Sequence, residues 1–138
     1  MAPVTPEQIA AVEATLEDDR LDLDAVAADF YRRLFGADPA AAALFTGDPG
    51  EQRQKFAAEL AAVGRAIHRH QDFLAEAAAL GARHRGYGVD AGAYRRAGPP
   101  LLEALGAALG DRWTPEVAEA WRLAYHLTVE AMTAASAS

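Results

Sequence analysis

The amino-acid sequence predicts an all-α fold, and three observations predict it. Apolar residues recur three and four positions apart through most of the chain. No stretch sustains the alternation of Val, Ile, Thr and aromatic residues that marks a half-buried strand. Helix-start signatures, a Thr or Asp followed by proline and then by a carboxylate, punctuate the chain.

Each element follows from these signals. Thr5-Pro6-Glu7-Gln8 reads as a capping box, and Ile9, Val12 and Leu16 share the face behind it. A second helix starts near Asp22 or Asp24, carries Val26, Phe30 and Leu34 at four-residue intervals with Tyr31 beside that stripe, and ends around Gly36. Asp38-Pro39 opens a short turn or helix leading to Leu44-Phe45, and Thr46-Gly47 marks a break. Asp48-Pro49-Gly50-Glu51 starts a third long helix, down one face of which run Gln52, Phe56, Leu60, Val63 and Ile67.

His68, Arg69, His70 and Gln71 read as a polar connection, after which Asp72 caps a helix with Ala77, Leu80 and His84 on one side. Arg85-Gly86-Tyr87-Gly88 stops it, and Asp90 starts a stretch holding Tyr94, Leu101, Leu102, Leu105 and Leu109 before Gly110 closes it. Thr114-Pro115-Glu116 begins the last helix, with Val117, Trp121, Ala124, Thr128 and Met132 inward, and residues 134–138 read as a frayed tail. Repeats, linkers and composition shifts are missing, so residues 1–138 are expected to form one domain.

Composition excludes several classes of function. The net charge is −7 and the arginines are scattered among acids, so the basic footprint of a nucleic-acid binder is missing. No apolar run is long enough for a membrane span, and MAPVTPEQ lacks the basic and apolar regions of a signal peptide; a cytoplasmic protein is expected. With no cysteine, His and carboxylates are the candidate metal ligands, and only four histidines need weighing.

His84 is the most informative of them. A histidine near a helix C-terminus can simply be an imidazolium facing the macrodipole. Here it follows Leu80 by one turn on an apolar side, with Gly86 and Gly88 beyond, so it can equally reach a flat cofactor packed between helices. The facing wall would come from Gln52 and Phe56, an amide and a large apolar group on one helical face. Taken singly, Gln52 is an exposed residue at a helix start and Phe56 an ordinary core aromatic. Tyr31 sits in an otherwise apolar helix, so its hydroxyl needs a partner, either a backbone carbonyl or a bound diatomic ligand. His68 and His70 fall in the polar connection and are expected to be exposed, and His126 reads as a packing or surface residue.

The strings Phe30-Tyr31-Arg32-Arg33-Leu34-Phe35, Leu44-Phe45, Gln52-Arg53-Gln54-Lys55-Phe56, Ala82-Arg83-His84, Tyr94 and Glu119-Ala120-Trp121-Arg122-Leu123-Ala124-Tyr125 occur in an order and spacing that resembles the globin domain of flavohaemoglobins and bacterial single-domain haemoglobins. The resemblance covers about residues 5–132 and implies a globin fold with haem b between a distal and a proximal helix. Carried over by position, it implies that His84 is the axial iron ligand, that Tyr31 and Gln52 are the distal polar residues, and that Phe45 wedges against the haem plane. Phe56 and Leu80 would line the cofactor, Tyr94 would pack under His84, and Lys55 would meet a haem propionate or remain solvated.

The chain departs from the family pattern at three places. Phe56 stands where leucine is usual, which should narrow the pocket above the iron. Pro99-Pro100 falls inside a helix that the family runs without a double proline, so a kink or a delayed start between Tyr94 and Leu101 is expected. The acid that the family carries near the end of the last helix falls at about Ala135 or Ser136, which leaves the proximal hydrogen-bond relay without it.

The resemblance implies binding of O2, NO and CO, with oxidation of nitric oxide to nitrate as the chemistry. A chain ending at Ser138 leaves no room for a reductase, so an external one is expected. Oxygen storage or delivery is the second reading, and a haem-free sensor or interaction domain is the reading of another class. Peroxidase chemistry needs an electron-rich proximal histidine, against which the missing acid argues.

Overall fold

The computed structural model describes residues 5–45, 47–86 and 91–134, and every regular element among them is helical. The long helices are α1 (Pro6–Glu17), α2 (Leu23–Ala37), α3 (Pro49–Ala66), α4 (His70–Gly86), α5 (Ala91–Leu109) and α6 (Pro115–Ala134). Short 3-10 turns at Pro39–Leu44 and Gly110–Arg112 link α2 to α3 and α5 to α6.

The caps read from sequence form as expected. Thr5 and Gln8 make the reciprocal capping box. Asp22 accepts from the Asp24 and Ala25 N–H groups, and Asp48 from that of Gly50. The Thr114 hydroxyl accepts from the Val117 N–H at 3.2 Å. Each satisfies a donor that a helix start would otherwise leave orphaned, an effect of about 1 kcal/mol per cap. Gly110 takes a φ of +55° where α5 ends, a conformation that favours glycine.

Two sequence expectations need correction. The connection expected over 68–71 is shorter: α4 already starts at His70, Phe73 N–H bonds the Arg69 carbonyl at 2.8 Å, and Asp72 lies inside the first turn, paired with Arg69 at 3.3 Å. The delayed start at Pro99-Pro100 does not occur either, because α5 runs as one helix through both prolines. Gly98 makes this tolerable, since without a Cβ it escapes most of the clash that a following proline imposes. Its surroundings favour glycine as well: a Cβ there would stand 3.1 Å from the Tyr125 ring, which would have to give by a few tenths of an ångström. Thr46, Tyr87, Gly88 and Asp90, read above as a break, a stop and a start, lie outside the described residues.

Packing runs α2 on α5 and α3, α4 on α6 and α3, and α1 on α6 and α3. One core joins Val12, Val26, Phe30, Leu34, Phe73, Leu105 and Trp121, and a smaller one gathers Ala77, Leu80, Tyr94 and Met132. Asp18 pins the α1–α2 connection to the 3-10 turn after α5, accepting from the Arg20 N–H at 2.9 Å, from the Arg20 guanidinium and from Arg112. These bonds, Arg20's foremost, hold its carboxyl well below the usual carboxylate range.

Two predictions follow from the packing. A carboxyl whose pKa is depressed by folding stabilises above the unfolded value near pH 4, and that contribution is lost as pH falls through the folded value. Asp18→Asn is therefore expected to lower Tm at about pH 7 and to flatten the fall in Tm below about pH 4. A variant tracking wild type at both ends of a pH series of thermal melts would show that the network contributes nothing. At the prolines, position 99 is exposed and position 100 buried. Pro99→Ala restores a donor to the Arg95 carbonyl without losing packing and is expected to stabilise by about 1–2 kcal/mol, whereas Pro100→Ala should gain less or nothing. Destabilisation by Pro99→Ala in denaturant unfolding would contradict this account.

Candidate functional site

A cavity opens between α2, α3, α4, α5 and α6, about 230 Å³ of which can hold the centre of a water-sized sphere. The face read from sequence as Gln52, Phe56, Leu60, Val63 and Ile67 is its α3 wall. Tyr31, Phe45, Gln52, Lys55, Phe56, Leu80, His84 and Tyr94 all line it, so residues from four helices and from the connection between α2 and α3 converge on one space.

The wall formed by α2 and α3 is aromatic. Tyr31 is half-buried, with Phe45 and Phe56 edge-on at 5.2 and 5.7 Å and Phe35 at 5.8 Å. Among the described residues its hydroxyl makes no hydrogen bond. Burial, and secondarily the charge of Glu59, pushes its pKa up to about 12, so it remains a neutral phenol and a donor across the physiological range. Phe56 stacks on Phe30 with centroids 4.6 Å apart and planes 16° from parallel, which draws its ring toward α2. Lys55 is exposed at the rim.

On the α4 wall, His84 is half-buried and its Nδ1 lies 2.9 Å from the Leu80 carbonyl. A carbonyl only accepts, so Nδ1 carries the proton and Nε2 the lone pair, the tautomer suited to metal ligation. Tyr94 is buried beside it, rings 6.0 Å apart. The Tyr94 carbonyl accepts from the Tyr125 hydroxyl at 2.5 Å, tying α5 to α6. Ala135 and Ser136, the expected place of the family's acid, lie outside the described residues.

His68 and His126 stand away from the cavity. His68 is exposed and pairs with Glu13 at 2.8 Å, and His126 is exposed beside the Tyr125 ring. The His70 side chain lies outside the described residues. Sequence reasoning missed Glu59, which lines the cavity and pairs with Arg83 of α4 at 3.3 Å. Its spacing of three from Phe56 was the available signal, obscured because a charge on a helix reads first as solvated. It also missed Asp38, which lines the cavity and pairs with Arg96 of α5 at 2.9 Å, and the place in the cavity wall of the inward-facing Trp121, whose Nε1 has no partner among the described residues.

This donor set suits one kind of group. No cluster of three or more His, Asp or Glu among the described residues could hold a bare metal ion. A single imidazole between apolar walls, with a cation at the rim, fits a flat macrocycle that brings its own equatorial donors and carries peripheral acids.

Comparison with known proteins agrees. The chain is 31% identical over 125 residues to a flavohemoprotein of Bordetella pertussis, covering 88% of this chain and 31% of that protein. It is 31% identical over 120 residues to a neuroglobin of Danio rerio, covering 75% and 74%. The chain thus spans about a third of the length of the flavohemoprotein. Among solved structures, the CO form of haemoglobin from Mustelus griseus superposes with a TM-score of 0.76 at 17% identity, over 93% of this chain and 96% of that one, which shows the fold. With the globin family profile matching residues 28–132, a helical fold shared with a haemoglobin and relatives at about 30% identity over most of its length, the chain belongs to the globin family.

Proposed function

We propose that this globin holds haem b with His84 as the axial ligand and binds dioxygen and nitric oxide on the side of Tyr31. The observation that carries this reading is the pairing of two walls: an imidazole whose proton is committed to Leu80, and opposite it a phenol hemmed by aromatic rings. When bound, haem supplies an iron centre that takes diatomic ligands and changes oxidation state by one electron. Lys55 at the rim would meet a propionate, Phe45 and Leu80 would hold the ring's faces, and Tyr94 would keep the imidazole from tilting.

Tyr31 and Gln52 are the donors available to a ligand that draws negative charge from the iron. The aromatic rings around Tyr31 lower the polarity of its surroundings, which strengthens a bond its hydroxyl makes. We assign nitric oxide dioxygenation as the chemistry this site would support: NO and O2 combine to nitrate with uptake of one electron, which a reductase must deliver. His84 bonds to a neutral carbonyl and not to a carboxylate, which would make it a modest electron donor to iron and supports gas binding over peroxide cleavage.

Two outcomes test this reading. His84→Ala is expected to abolish stoichiometric haem uptake, read as loss of the Soret band, while His68→Ala, His70→Ala and His126→Ala retain it. A full Soret band in the His84 variant would remove the assignment, and its absence from the wild-type protein would favour the haem-free reading. A hydrogen bond to a charge-bearing acceptor is worth roughly 1.5–3 kcal/mol, so Tyr31→Phe should speed dioxygen dissociation by about ten- to a hundred-fold. Carbon monoxide gathers little charge and should respond far less. Stopped-flow dissociation of both gases decides it, and an unchanged dioxygen rate would reduce Tyr31 to a core residue.

A further inference from the structure

α4 touches α6 at one point with no side chain between the two backbones. A Cβ built on Gly81 would stand 2.5 Å from the Met132 carbonyl oxygen, 3.0 Å from its Cα and 3.1 Å from its carbonyl carbon. All three atoms are main chain, so no rotamer change relieves the clash. Ala77, one turn earlier, is fully buried, and it packs with Leu80, Tyr94 and the Met132 side chain.

Helix propensity argues against this glycine, which costs about 1 kcal/mol relative to alanine in a helix interior. Close approach explains it. His84 follows Gly81 by three residues, and its Nδ1 is bonded to the carbonyl of Leu80, the neighbour of Gly81. The imidazole is thus anchored to the turn of α4 that rests on α6.

We propose that Gly81 is a positioning residue for His84: by letting α4 lie on the backbone of Met132, it sets how far the imidazole stands out into the cavity. The proposal rests on the reading of His84 as the haem ligand. A methyl group at position 81 needs roughly 1 Å more separation to reach ordinary contact. Because α6 is backed by α1 and α5, α4 is the element that yields, toward α3 and the cavity. Metal–ligand distances tolerate only about 0.2 Å, so either the bond to iron or the bond to Leu80 must give.

The test compares wild type with Gly81→Ala in the ferrous, haem-loaded protein, reading the iron–histidine stretch by resonance Raman and the rate of haem transfer to an apoglobin acceptor. Gly81→Ala is expected to shift the stretch and speed haem loss about ten-fold. Gly36→Ala, where a Cβ meets nothing within 4 Å, should leave both readouts within about two-fold of wild type. That variant gains helix propensity, so the pair Gly36→Ala/Gly81→Ala carries the measurement if Gly81→Ala alone folds poorly.

A merely structural role is separated by cutting the tether. In His84→Gly supplied with imidazole, the ligand is no longer attached to α4, and adding Gly81→Ala should then change haem loss by less than about two-fold. An unchanged stretch in Gly81→Ala, or an undiminished effect in the imidazole-supplied pair, would overturn the proposal. Wild type without haem would overturn the underlying reading as well, and so differs from a haem-loaded wild type indifferent to position 81.

Discussion

Keeping an apolar cavity open inside a chain of 138 residues is the constraint to which the rest of the fold answers. Apolar walls that are not packed against one another tend to close, and something must hold them apart. The opposing force comes from helices clamped together behind the walls, at points where glycine removes the side chain. Gly81 seats α4 on Met132, and Gly98 seats α5 on the ring of Tyr125. Gly64 lies so close to Leu16 that a Cβ there would overlap that side chain, which draws α3 onto α1. Ion pairs join the same helices at the edges, Glu59 with Arg83 and Asp38 with Arg96, and both acids line the cavity. At 29% and 17% side-chain exposure these acids are only partly screened, so they resist splaying more than a surface pair would.

Much of this was legible in the sequence wherever the signal is local. A helix face is a matter of spacing, so Gln52, Phe56, Leu60, Val63 and Ile67 could be read as one wall before any fold was known. Caps are equally local, and Thr5, Asp22, Asp48 and Thr114 all act as read. What escaped was set by partners distant in the chain. Phe56 was expected to narrow the pocket above the iron; its ring does line the cavity, edge-on to Tyr31, but spacing could not tell that it would also stack on Phe30 of another helix. Gly81 reads in isolation as a weak spot in a helix, and only the backbone of Met132 gives it meaning. The delayed start expected at the double proline does not occur, because the rule against proline inside helices takes no account of a preceding glycine.

The globin profile begins at residue 28, after α1, yet α1 contributes to the site. Val12 is 1% exposed and lines the cavity's inner end. The first helix thus closes the space from behind, while the four-residue stripe of α2 faces it with Phe30 and Leu34.

The buried indole of Trp121 gives the protein an internal gauge. It lines the cavity and is buried, so its emission should lie to the blue. A strongly absorbing group seated against the same walls would take up that light by energy transfer. Filling and emptying of the cavity can therefore be followed through the chain's own fluorescence, with no label attached. Trp113, half-buried against Gly106 at the 3-10 turn, supplies a second and more distant emitter for comparison.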